Sequence, residues 1–219
     1  MRALGLTPLL GQYGSERFPD GATVEDPDPM ANTAAPKSMA VPLAAFAAGA
    51  VVALLLGVFG KVHDPTLGGT TTLGFDTVID MKVVVATVIG VLVVLQLIGA
   101  LWMYGKLGIK APAWVGPAHR TCGTIALLLS AFVAYHCLWA LGLESGKLAN
   151  GEKVPIRTVV HGVLGCAVFG AVVVKVIAVR SRRAPGWFLP VAGGLLFALL
   201  VVVILTSAVW YIGKEGWPA

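Results

Sequence analysis
The chain has 219 residues, 57% of them hydrophobic and 12% charged, with a formal net charge of +5. That leaves too few polar side chains to clothe a soluble globular domain, and places the chain in a bilayer. The positive charge sits mostly in short loops at helix ends, where it bears on topology and anionic lipid, and no nucleic-acid-binding module accompanies it.

Residues 1–38 are polar and rich in Gly, Pro and Asp, as in FPDGATVEDPDP, and read as a disordered segment with no apolar period. No apolar h-region precedes a small-residue cleavage site, so this is not read as a signal peptide. Met30 opens a polar start before the first span, so residues 1–29 read as an upstream extension from start-site choice, with a regulatory tail as the alternative.

Five apolar stretches then follow, each long enough for a hydrocarbon core that needs roughly 20 helical residues. They run over Met39–Gly60, Met81–Tyr104, Ala118–Gly142, Pro155–Val179 and Phe188–Ile212, leaving a short tail at 214–219. The fold class is therefore all-α, an integral membrane five-helix bundle. Pro117, Pro155 and Pro185 sit where a helix can begin without wasting a backbone donor. Trp102, Trp139, Trp187 and Trp210 fall near span ends, as interfacial anchors do.

With the N-terminus in the cytoplasm, the inner side collects Lys37, Lys106, Lys110, Arg120, Arg180, Arg182 and Arg183, with no acidic residue in its two loops. The outer side mixes Lys61, Lys82, Lys147, Lys153, Arg157 and Lys214 with Asp64, Asp76, Asp80, Glu144, Glu152 and Glu215. The cluster after the fourth span favours N-terminus cytoplasmic and C-terminus outside, because Lys and Arg resist translocation.

The polar residues inside the spans are few. His136 lies six residues before the outward end of the third span and His161 six after Pro155. At about 1.5 Å per residue, each is roughly 9 Å below its helix end. An imidazole in hydrocarbon is costly, and two at one depth on consecutive antiparallel spans suit a shared b-type haem with two axial ligands. Helical spacing sets Arg157 and Gly165 on the face of His161: Gly165 leaves room for a flat macrocycle, and Arg157 stands where propionates would emerge. Close packing of small residues explains Gly162 and Gly165 equally well.

The remaining candidates have plainer readings beside the functional ones. His119 begins the third span and faces headgroups and water, or else marks a second inner site. His63 is an outer-loop residue, solvated or in contact with a quinol or a docking partner. Lys175 snorkels to the inner headgroups. Cys122, Cys137 and Cys166 are an odd, membrane-embedded set that packs as small apolar residues and offers no disulfide framework. No buried Asp or Glu relay suggests a transporter.

The run HRTCGTIALLLSAFVAYHC, with His119, Arg120, Gly123 and His136, resembles the HRxxG helix and downstream histidine of ferric-reductase-like and cytochrome b561-like membrane proteins. Those families bind haem b between antiparallel helices and pass electrons across or into the membrane. The resemblance covers mainly the third and fourth spans. It departs from the two-haem pattern: His119 and His136 are seventeen residues apart, and the position fourteen beyond His161 is Lys175. One haem is carried over, with His136 and His161 as ligands; a second is not. The chain is also similar to uncharacterised five-span membrane proteins of high-GC actinobacteria.

The resulting expectation is a multi-pass protein of the bacterial cytoplasmic membrane holding one bis-histidine haem b near its outer face. It relays electrons between the quinol pool or another membrane redox protein and an outer-face partner, as an electron-transfer subunit more than a stand-alone enzyme. The alternative is a haem-free structural or assembly subunit of a larger membrane complex.

Overall fold
The structure, a computed structural model, describes residues 38–143 and 153–218. The N-terminal segment 1–37, with its start-site reading, and most of the LESGKLANGEK loop lie outside the described residues. Five helical spans form as the hydropathy requires: α1 (Ala40–Val62), α2 (Val78–Met103), α3 (Val115–His136) continued by a π-turn at Cys137–Leu141, α4 (Ile156–Arg180), and α5 (Phe188–Ile204) continued by a π-turn at Leu205–Val209 and a last helix α6 (Trp210–Glu215). The chain is a multi-pass membrane protein. Its large apolar side chains point outward: Leu54 is 67% and Leu128 65% exposed on the bundle surface, which suits a surface solvated by lipid tails.

Helix ends are set by local chemistry. The Thr77 hydroxyl caps α2 by accepting from Asp80 N–H at 3.1 Å, and Tyr211 donates to Asp80 Oδ1 at 2.9 Å, tying the end of the fifth span to the start of the second. Pro155 stands immediately before α4. Gly142 ends the third span at φ +64°, a left-handed value that favours glycine, and lets Leu143 N–H reach Gly60 O at 2.6 Å.

Lipid is as apolar as the helices, so association rests on close packing rather than burial from water. On α4 the residues Cys166, Gly170, Val174 and Ala178 recur every fourth position on one buried face. Opposite them α1 presents Pro42, Ala45 and Gly49. The backbones nearly touch there: a Cβ on Gly49 would stand 2.6 Å from Gly170 O. Ala45, Val174, Ala178, Phe188 and Ala192 form the core among α1, α4 and α5.

The spatial order differs from the chain order. α1 packs along α4, α4 along α5, α5 against α2, and α2 along α3, whereas α3 and α4 share no extended interface. Consecutive spans three and four therefore do not pack along each other. The small-residue face of α4 is taken by α1, and α3 is drawn to α2, where Gln96 Nε2 donates to His119 O at 2.6 Å and His119 packs on Gly99.

Candidate functional site: two histidines at π-turns
The two histidines lie at the end of the bundle where α1, α3 and α5 finish and α2 and α4 begin. His136 is 1% exposed and immediately precedes the π-turn Cys137–Leu141. Its Nδ1 is 2.9 Å from Phe132 O, and a carbonyl can only accept, so Nδ1 carries the proton. Nε2 is then the lone pair, and it accepts from Thr71 N–H at 3.2 Å.

His161 is held in the same tautomer by a different span. Its Nδ1 faces Val203 O at 3.2 Å and Thr206 Oγ1 at 3.3 Å, just before and within the second π-turn. Among the described residues its Nε2 has no hydrogen-bond partner. A π-turn shifts the bonding pattern to i→i+5 and frees carbonyls that a regular helix would use, and such turns gather at functional sites. Thr206 and Ser207, whose hydroxyls bond back to Val202 O and Val203 O, help to widen this one.

The two imidazoles are thus held by different partners, His136 by its own span and the 63–77 connection and His161 by the fifth span. Gly165 leaves open space beside it, with no atom within 4 Å of where its Cβ would be. Gly162 does not, because Leu143 fills the position beside it.

Arg157 is engaged within the bundle. Its Nη1 donates to Thr206 O at 2.6 Å and its guanidinium lies 3.5 Å over the Trp210 ring, so it braces α4 against the fifth span. Lys82, at the start of α2, is a second cation within electrostatic reach of His161 that the sequence did not single out.

His63 also departs from expectation. It caps α1, and its ring is sandwiched between Phe59 (centroids 5.0 Å apart, 11° between planes) and Trp139 (4.4 Å, 29°), with Nε2 buried and unpartnered. Trp139 in turn stacks on Tyr135 at 5.9 Å. The 63–77 connection is strapped onto these rings: Trp139 Nε1 donates to Gly68 O at 2.7 Å and Tyr135 Oη to Gly69 O at 3.1 Å. None of these loop contacts was read from the sequence, although aromatic residues every fourth position before Gly142 were a signal.

At the opposite end, His119 is half-buried, with Nδ1 buried and unpartnered, and is not turned to headgroups. No cluster of three or more His, Cys, Asp or Glu suited to a metal ion occurs among the described residues. A bis-histidine haem needs only two such ligands.

Comparison with known proteins finds no curated protein and no solved structure that matches the chain. A family model does match, over residues 39–219, which takes in all five spans. The chain therefore belongs to the family of unknown function DUF6529.

Proposed function
We propose that the protein is a b-type cytochrome subunit of the bacterial cytoplasmic membrane, with one haem b between α3 and α4 ligated by His136 and His161. The observation that carries this reading is the shared tautomer: each imidazole gives its Nδ1 proton to a backbone carbonyl, the outer-sphere bond that metal-ligating histidines make, and so presents Nε2 as the lone pair. The open space at Gly165 and the lack of an α3–α4 interface fit a flat group between the spans. The Thr71 N–H would have to yield His136 Nε2.

A haem there would supply one-electron chemistry, and two protein ligands would leave it no open position for oxygen. The chain's own residues do the rest. Phe132 O and Val203 O orient the rings, and the 63–77 loop excludes water from His136. Lys82, in the first turns of α2, supplies positive charge at the same end of the bundle as His161, where carboxylates would be favoured. The electrons would pass between a quinol or another membrane redox subunit and a partner at the outer face. The basic end supports N-terminus inside: Lys106, Lys110, Arg120, Arg180, Arg182 and Arg183 are all exposed there.

One observation favours the second reading, a haem-free structural or assembly subunit: both ring nitrogens of His136 already have protein partners. Reduced-minus-oxidised and pyridine haemochrome spectra of the protein from haem-replete cells decide between them. The cytochrome reading expects α and Soret bands that His136→Ala and His161→Ala each abolish while His63→Ala and His119→Ala retain them. A protein without these bands is the structural subunit.

A further inference from the structure
Two connections at one end of the bundle repeat each other. The sequence KAPAWVGP over 110–117 leads into α3, and RAPGWFLP over 183–190 leads into α5. The backbone repeats with it: Val115 N–H donates to Pro112 O at 3.1 Å and Phe188 N–H to Pro185 O at 3.0 Å, and Trp114 and Trp187 cap their helices at φ/ψ of −74°/−19° and −73°/−21°. In both copies the turn buries the next residue, Val115 or Phe188, and leaves the indole outside, 61% exposed at Trp114 and 46% at Trp187.

Charge and exposure define the partner. Lys106, Lys110 and Arg120 flank the first copy in the chain, Arg180, Arg182 and Arg183 the second, and all six are exposed. The described acidic residues, Asp64, Asp76, Asp80 and Glu215, stand at the other end, the length of α2 away, about 39 Å. No described carboxylate can therefore neutralise these cations. The α2–α3 connection also interleaves its lysines with exposed Tyr104, Leu107 and Ile109. Water would solvate the lysines and not those side chains, whereas a bilayer interface takes both, acyl chains covering the apolar groups and phosphates meeting the amines. The sidedness of Lys and Arg accounts for the charge alone, and needs no exposed indole at a fixed place beside it.

We propose that each copy is a headgroup site for an anionic phospholipid, with the indole of Trp114 or Trp187 among the ester carbonyls and the neighbouring Lys and Arg side chains on the phosphate. The second copy is the tighter, because three guanidinium groups serve it against one at the first, and a guanidinium holds two phosphate oxygens by parallel hydrogen bonds where an amine acts as a point charge. A zwitterionic headgroup carries its own ammonium into the cluster and gains less. The site stands with or without a haem, and whichever leaflet the basic end faces.

The test uses the full-length protein in uncharged detergent, offered phosphatidylglycerol and phosphatidylcholine of matched chains at equal concentration, with native mass spectrometry to count the lipids retained. Phosphatidylglycerol should be preferred by about tenfold, one molecule per copy. Arg182→Ala/Arg183→Ala should weaken its retention by about tenfold and Arg182→Lys/Arg183→Lys by less, while Trp187→Ala should weaken both lipids. Lys153→Ala/Lys214→Ala, at the other end, should change nothing; an equal loss there would show that net charge alone acts and would overturn the site. Equal retention of the two lipids would also overturn it. So would displacement of phosphatidylglycerol by inorganic phosphate at equal concentration, which would make this a free-anion site, or by poly-glutamate, which would give the face to an acidic protein. Phosphatidylglycerol with a photoreactive headgroup, applied to the unmutated protein, gives an answer independent of variant folding: label within 104–120 and 180–190 is expected, and label confined elsewhere overturns the proposal.

Discussion
At the scale of single residues, the contact that isolates His136 is made by a backbone amide. Thr71→Ala should therefore leave the protein spectrally and thermally almost unchanged, whereas Thr71→Pro removes the donor and should lower stability by about 1–3 kcal/mol, as a buried nitrogen loses its partner. Unfolding in mixed micelles would measure both. The depth of His136 and His161 was legible in the sequence because rise per residue converts position into depth. Their partners were not, since a carbonyl freed by a π-turn leaves no mark on residue identity. His63 was misread for a related reason. It follows the apolar run and reads from sequence as solvated or as a quinol or partner contact, but Phe59 one turn earlier and Trp139 from another span stack on it.

At the scale of elements, span existence was readable and span pairing was not. The described helix limits fall within three residues of the apolar runs, since hydrocarbon thickness sets them from outside. Pairing depends on which small residues come opposite each other, and Gly49 and Gly170 are two of 27 glycines. Their contact predicts a large effect: Gly49→Leu should force α1 away from α4 and cost about 1–3 kcal/mol or more, read as a lower melting temperature in detergent. The start of α2 should respond more mildly. Thr77→Ala removes the cap for about 1 kcal/mol, and Tyr211→Phe removes the link to Asp80 for about 0.5–1.5 kcal/mol. Because both act on Asp80, the double variant should cost less or more than the sum, which a double-mutant cycle would show.

At the scale of the whole molecule, the two ends of the bundle are chemically unlike. One carries six exposed basic side chains on its described loops and helix ends; the other mixes Asp64, Asp76 and Glu215 with Lys61, Lys153 and Lys214. A periplasmic alkaline phosphatase fused to the C-terminus should be active and a cytoplasmic reporter there dark; the opposite pattern would invert the topology and move the histidine pair to the inner face. The aromatic end would then meet the cytoplasm. The strap over that end is held mainly through main-chain atoms of the loop: the carbonyls of Gly68 and Gly69, and the amides of Thr66 and Thr71. Peptide groups are common to every sequence, so most of this loop can be rewritten by mutation while its grip on α3 persists. Among related chains, the lettering of the strap after His63 should drift quickly while Tyr135, His136 and Trp139, which bond to its backbone, stay fixed.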